Sequence, residues 1–231
     1  ITFTGTKNLV IKGAAASTTI IDANLKHRHF YFSASSSNSL LDTTFKIMDL
    51  TLKNGRPQTN DHGGSIYMYG YWDSNLNRNQ GHSPLFQNVV FQSNQPKFNS
   101  NDYNRGGGAI YAYRSTPSFR DVEFKYNTAP QNGGAIRITD VDTNKTITFE
   151  RTIFTSNHVE PQENQTSGYY GGAIYLYSTG KVVFKNCVFD SNSVKVNHNS
   201  DNYGGAIYAS INHDSLVVRN TKFRYNKVYK P

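Results

Sequence analysis

The sequence predicts an all-β solenoid, a parallel β-helix of about six coils with three short strands and three bends in each. Three observations carry this. A Gly-Gly phrase recurs as Gly63-Gly64-Ser65-Ile66-Tyr67, Gly107-Gly108-Ala109-Ile110-Tyr111, Gly133-Gly134-Ala135-Ile136-Arg137, Gly171-Gly172-Ala173-Ile174-Tyr175 and Gly204-Gly205-Ala206-Ile207-Tyr208. A Phe-x-x-Asn phrase recurs at Phe91/Asn94, Phe124/Asn127, Phe154/Asn157, Phe189/Asn192 and Phe223/Asn226. The two alternate along the chain, and self-similarity at such a period marks stacked units that cannot bury their apolar face alone.

Residues 1–231 read as one repeat array. Residues 1–44 form a divergent first coil, as end repeats usually do. Here Leu9-Val10-Ile11 and Thr19-Ile20-Ile21-Asp22 read as short strands, and Phe30-Tyr31-Phe32 aligns with Ile66-Tyr67-Met68. Residues 45–226 hold the regular coils. Residues 227–231 start a following coil or a linker, so continuation of the stack or end-to-end association is expected. The chain opens on Ile1 in a strand-like run without a visible signal peptide, as a processed or partial segment would.

Aligning Gly55 with Asn94, Asn127, Asn157, Asn192 and Asn226 puts everything upstream in register. Three residues before lie Leu52, Phe91, Phe124, Phe154, Phe189 and Phe223. Five before lie Leu50, Val89, Val122, Thr152, Cys187 and Thr221. Residues two apart in a strand share a face, so both columns point into the coil. The polar column six before, Asp49, Asn88, Asp121, Arg151, Asn186 and Asn220, breaks the alternation and marks a bend. The Asn column marks a second bend, because Asn and Gly both tolerate left-handed backbone. The Gly-Gly pair marks the third. On this reading Phe154→Ala is expected to be more damaging than Asn157→Ala. The shortest repeat, Tyr111 to Arg137, spans 26 residues. Longer repeats must expel polar loops at 71–83, 95–105, 160–170 and 195–203, the last three from one corner.

Composition narrows the function classes. No apolar run reaches the roughly 18 residues of a membrane span, so direct membrane insertion is not expected. The net charge of +8 favours anionic surfaces or polymers, but the basic residues are scattered and nucleic acid is not an expected partner. The single cysteine, Cys187, excludes an internal disulfide and lies in an inward column, as an inert buried thiol.

Gly-Gly-Ala-Ile paired with Phe-x-x-Asn resembles the repeats of the chlamydial polymorphic outer membrane proteins, over roughly Phe45 to Asn226. The resemblance implies a right-handed, single-stranded parallel β-helix, secreted or displayed at the cell surface and working as a structural or adhesive module. In that family Gly171, Gly172, Ala173, Ile174, Phe189, Asn192 and their counterparts are repeat residues, not catalytic ones.

Candidates for chemistry are few. Parallel β-helices also include polysaccharide-degrading enzymes, so a carbohydrate-binding or pectate-lyase-like module is the alternative function. Such chemistry needs carboxylates converging on one groove. Asp49 and Asp121 share a column but lie two coils apart, near 10 Å at about 4.8 Å per coil, and Arg151 follows Asp121 as a balancing charge. No catalytic residue, cofactor or metal site is expected. Asp140-Val141-Asp142-Thr143-Asn144 opens like a calcium loop, but Lys145 stands where Gly is required, and a polar turn fits better. His27 and His29 share a strand face as a surface pair. Asn144-Lys145-Thr146 and Asn164-Gln165-Thr166 are glycosylation sequons in expected turns or loops.

The main candidate surface comes from the Gly-Gly strands. Ile174 and Leu176 must face the core, so Tyr175 and Tyr177 face out. Stacking makes two exterior ladders. One holds Tyr31, Tyr67, Tyr111, Arg137, Tyr175 and Tyr208. The other holds Tyr69, Tyr113, Thr139 and Tyr177, with Ser33 and Ser210 at its ends. The guanidinium of Arg137 can stack on the flanking rings. The expectation is an exposed aromatic strip used for lateral contact with a sister copy, a covering loop, a glycan or another surface ligand. A Tyr67/Tyr111/Tyr175 triple change to Ser should then leave the fold intact.

Overall fold

A computed structural model describes residues 2–3, 8–58, 61–97, 106–161, 168–196, 202–211 and 215–230 of the chain. It is a parallel β-solenoid of about six turns. Among the described residues there is no α-helix, and no helix long and apolar enough to cross a membrane. A seven-stranded parallel sheet runs Thr2–Phe3, Phe30–Ser33, Ile66–Tyr69, Ile110–Tyr113, Ile136–Thr139, Ile174–Thr179 and Ile207–Ile211 in order along the axis. A twelve-stranded sheet forms the opposite wall, and a four-stranded sheet from Thr128–Ala129 to Lys227–Tyr229 closes the coil. The first segment joins the stack. Val10–Lys12 and Ile20–Asp22 pair with Lys46–Lys53, and Tyr31 is in register with Tyr67.

Three strands per coil proves an undercount. The coil opening at Ile136 holds Ile136–Thr139, Thr146–Glu150, Ile153–Thr155, His158–Val159 and Tyr169–Tyr170. The added strands follow the Asn column and precede the Gly-Gly pair. Backbone pairing and a small buried cluster of Val159, Tyr169, Val194 and Val196 hold them there.

The inward columns are as the register requires. Phe86, Phe119, Phe149 and Phe184 stack with ring centroids 5.4, 4.8 and 4.7 Å apart. Phe91, Phe124, Phe154, Phe189 and Phe223 stack at 4.8, 5.0, 4.7 and 4.8 Å. The two ladders meet edge to face, as at Phe149 and Phe154 with planes 63° apart, which suits the ring quadrupole. Ile66, Ile110, Ile136 and Ile174 line the facing wall, all fully buried. Each fully buried ring contributes about 1.5–3 kcal/mol, whereas Phe223 at the end of its column is 50% accessible. Cys187 is buried among them, and burial pushes its thiol up.

Two bends match the register. The column six before the Asn is left-handed throughout, with φ 56° at Asp49, 55° at Asp121 and 48° at Arg151. The first Gly of each pair is also left-handed. At Gly171, φ is 68°, and a Cβ would fall 2.0 Å from the Ile174 carbonyl oxygen. Its neighbour Gly172 permits close stacking, since a Cβ there would meet the Gly205 carbonyl oxygen at 2.1 Å.

The Asn column does something other than expected. The left-handed residue is the one before it: Asn54, Ser93, Tyr126, Ser156, Ser191 and Tyr225. Asn94, Asn127, Asn157 and Asn192 are instead buried and form a ladder. Asn157 Oδ1 accepts from the backbone N–H and Nδ2 of Asn127 at 3.1 and 2.9 Å. Its Nδ2 donates to the Phe124 carbonyl and to Asn192 Oδ1, each at 2.9 Å. Removing the Asn157 amide takes a buried partner from the Asn127 N–H and the Phe124 carbonyl, each worth about 1–3 kcal/mol when left unpaired, while Asn127 Nδ2 keeps the Phe91 carbonyl and Asn192 Oδ1 keeps the residue-157 N–H.

Two histidines are also part of the interior. His29 is buried, not half of a surface pair with exposed His27. Its Nε2 lies 2.9 Å from the Ile21 carbonyl and its Nδ1 3.0 Å from Ser65 Oγ, so it is enclosed between the divergent first coil and the regular stack. His82 is fully buried beside Phe32, and its Nδ1 accepts from the Leu41 N–H at 3.1 Å. Burial pushes His82 down to about 4, and lowers His29 and His158 in the same direction.

Phe154→Ala should cost about 3–5 kcal/mol. The ladder makes Asn157→Ala comparable, at about 3–5 kcal/mol, in urea denaturation. A cost near 1 kcal/mol would refute the ladder's weight. The histidines give an acid-sensitive stability. Unfolded imidazoles bind protons near 6.5 that the folded ones refuse, so stability is full above that pH and falls as pH drops towards 4. His82 alone accounts for up to about 3 kcal/mol of that loss. In His82→Gln, whose side-chain oxygen can still accept from Leu41, thermal denaturation between pH 7 and 4 should show a shallower decline.

Candidate functional site: an aromatic and guanidinium strip

The strip sits on the outer face of the seven-stranded sheet. Strand pairing places Tyr31, Tyr67, Tyr111, Arg137, Tyr175 and Tyr208 in one row, and Ser33, Tyr69, Tyr113, Thr139, Tyr177 and Ser210 in the next. The Arg137 guanidinium lies between two rings, 5.4 Å from the centroids of both Tyr111 and Tyr175. Tyr175 and Tyr208 stack at 5.1 Å with planes 8° apart.

The first row points out of the coil but is not an exposed surface. Tyr111, Arg137 and Tyr175 are only 7, 7 and 9% accessible, while Tyr31, Tyr67 and Tyr208 are half-buried. At three of the Gly-Gly pairs the cover is the residue just before the pair, which lies over the row one coil further on. His62 stacks on Tyr111 at 4.2 Å, and Tyr170 packs on Tyr208 at 4.8 Å. Gly106 occupies the same position over Arg137, where a Cβ would fall 2.8 Å from Arg137 Cδ. Arg28 closes the other end, its guanidinium 5.1 Å from the Tyr67 centroid. It is held by Asp61 at 2.8 Å and by the Gly63 carbonyl at 2.9 Å. Strand alternation decided which side of the wall these rings take. It carried no information about what folds over that side. Burial pushes the phenols of Tyr67 and Tyr111 up, and that of Tyr175 up to about 12. These hydroxyls therefore stay protonated at physiological pH.

The second row supplies the accessible part. Tyr69 and Tyr177 are 40 and 48% accessible, and Tyr69 stacks on Tyr113 at 5.1 Å. Thr139 is buried. The expected loop at 71–83 contains an antiparallel hairpin, Tyr71–Asp73 with Arg78–Gln80. Asn79 Nδ2 donates to the Asp140 carbonyl at 2.7 Å, and Arg78 Nε lies 3.6 Å from the buried Asp142 carboxylate. The hairpin thus reaches across to the turn at 140–142, and leaves Trp72 and Leu76 exposed. Trp72, Arg28, His62 and Tyr170 were not singled out from the sequence. The recurring aromatic position before Gly-Gly, His62, Tyr170 and Tyr203, was the available signal.

The other candidates resolve simply. Asp121 accepts a two-pronged bond from Arg151 at 2.7 and 3.0 Å, which lowers its carboxyl, and Asn88 donates to Asp49 at 2.8 Å. The Asp140–Asn144 segment is a turn in which the Asn144 N–H donates to Asp142 Oδ1 at 2.9 Å. Among the described residues no group of three or more His, Cys, Asp or Glu is placed to hold a metal ion. Asn144 is exposed in that turn, and Asn164 lies outside the described residues.

Changing Tyr67, Tyr111 and Tyr175 together to Ser should therefore damage the fold rather than spare it. Arg137→Ala, which removes a buried cation from between two rings, should cost about 2 kcal/mol or more. Changing Tyr69 and Tyr177 to Ser should shift stability by less than about 1 kcal/mol, since both rings are half in water. Chemical denaturation of the three variants checks this ranking.

No curated protein and no solved structure matches the chain significantly. A family model does match, the Chlamydia polymorphic membrane protein repeat, at residues 121–139 and 186–210. Each stretch runs from the Phe-x-x-Asn strand through the following Gly-Gly bend to the ladder strand. Proteins of that family are outer-membrane or surface proteins. The chain carries repeats of the polymorphic membrane protein type in these two stretches, on a parallel β-solenoid of about six turns.

Proposed function

We propose that this chain is a surface-displayed structural and adhesive module, without catalysis, that acts through lateral contacts along its aromatic strip. The repeat type supports the surface placement. The observation that carries the contact role is the set of accessible rings at the strip's edge, Tyr69 and Tyr177 on the wall and Trp72 on the adjoining hairpin, each 40–49% accessible. Rings with an apolar body and a polar tip are suited to contact with a glycan or a protein surface. A sister copy laid along the same wall would meet the same groups.

A second reading, carbohydrate binding without the strip, has its own observation. A groove of about 390 Å³ runs along the outer side of the bend in the large sheet, lined by Asn88, Val90, Asp121, Glu123, Arg151 and Ile153. Its polar and apolar lining suits an extended sugar chain.

The test is adhesion of non-adherent bacteria displaying the chain, with sedimentation of the purified chain to read self-association. A Tyr69/Trp72/Tyr177 triple change to Ser should weaken adhesion or association at least about tenfold, roughly 1.4 kcal/mol. Its thermal midpoint should stay within a few degrees of the parent. Unchanged adhesion and association in a folded triple variant would reject the strip. Loss of polysaccharide binding in Glu123→Gln alone would favour the groove.

A further inference from the structure

Five tyrosines form one contiguous cluster across two adjacent coils. Tyr170 and Tyr203 are in-register partners in neighbouring parallel strands, with ring centroids 5.8 Å apart and planes 13° apart. Tyr170 also lies 4.8 Å from Tyr208, and Tyr175 lies 6.2 Å from Tyr177 and 5.1 Å from Tyr208. Tyr203 and Tyr177, at opposite ends, are 53 and 48% accessible. The chain has one cysteine, and it is buried in the core. A disulfide between coils is therefore impossible, and a covalent tie would need other chemistry.

We propose that Tyr170 and Tyr203 are a site of oxidative tyrosine cross-linking that staples one coil to the next. The co-reactant is a peroxide acting through a peroxidase. Each phenol loses one electron and its hydroxyl proton, giving two phenoxyl radicals. These couple through ring carbons ortho to oxygen. The two ring hydrogens then move to the oxygens and restore both phenols. One peroxide takes up the two electrons and two protons and leaves as two waters. Tyr203 is the entry point because it is the most accessible ring of the cluster. Its partner is Tyr170 because parallel register holds the two ring planes nearly parallel at stacking range, whereas Tyr208 is tilted 39° to Tyr170 and stacked on Tyr175. A link from 170 to 203 constrains the unfolded chain much as a disulfide does. The proposal uses the surface placement above only for access to an oxidant, and its chemistry can be tested apart from any adhesion.

The experiment treats the dilute purified chain with a heme peroxidase and hydrogen peroxide. Dityrosine fluorescence, intact mass and peptide mapping are then read. The expected product is monomeric, lighter by two hydrogens, and linked between the peptides carrying Tyr170 and Tyr203. It should unfold at higher temperature than the untreated chain. Tyr170→Phe and Tyr203→Phe, which keep the rings, should each abolish that linked peptide, while Tyr208→Phe should leave it. The same treatment in urea should lose the intramolecular product. Links confined to pairs of separate molecules, links mapped elsewhere in the chain, or an undiminished Tyr170–Tyr203 product in urea would each overturn the proposal.

Discussion

Asn127 accepts from the backbone and side-chain amides of Asn94, and donates to the Phe91 carbonyl and to Asn157. Repeated from Asn94 to Asn226, this ladder resolves the main difficulty of a solenoid. At each corner the backbone turns away from its regular pairing and would leave polar groups in a dry interior. An unpaired amide there is costly, whereas an amide stacked on its own copy satisfies its neighbours and is satisfied in turn. The ladder works only if every coil keeps the same register. That register also brings Phe onto Phe and Ile onto Ile. Hydrogen bonding along the axis and ring stacking along the axis are thus one constraint met twice.

The bends follow from the same requirement. A corner must reverse the chain without widening the coil, and single left-handed residues do so. Gly171 and its counterparts take that role where backbone from the same turn crowds the Cβ position. Elsewhere the role falls to Asp, Asn, Ser, and even to Arg151 and Tyr126. For those residues the strain of roughly 1–2 kcal/mol each is offset by the stacking they allow.

The exterior obeys looser rules. Charges balance along the stack, as in Glu150, which meets Arg120, Arg151 and Lys185. Exposed pairs of this kind contribute little to stability and serve to avoid like-charge columns. The aromatic wall is different, because its chain covers it. His62, Tyr170 and the guanidinium of Arg28 lie on the rings, and the most accessible rings left on this side, among the described residues, are Tyr69, Trp72, Tyr177 and Tyr203. The wall is in part a second core on the outside of the coil.

What the sequence determined by itself was whatever repeats. The coil register, the Phe columns, the bend at the polar column, the Gly-Gly bend and the outward row with Arg137 among tyrosines were all legible, because alternation and a fixed period transmit them residue by residue. Tertiary structure alone decided what depends on contact between non-repeating parts. It turned Asn157 from a bend residue into a buried ladder rung, since the left-handed turn fell one residue earlier, at Ser156. It placed His29 inside by closing the first coil over it, and it made a hairpin of a stretch that read as a loop. It also laid His62 and Tyr170 over rings that strand alternation had sent outward. A periodic pattern specifies which side of a wall a side chain takes, while the segments between repeats, which follow no period, decide whether that side meets water.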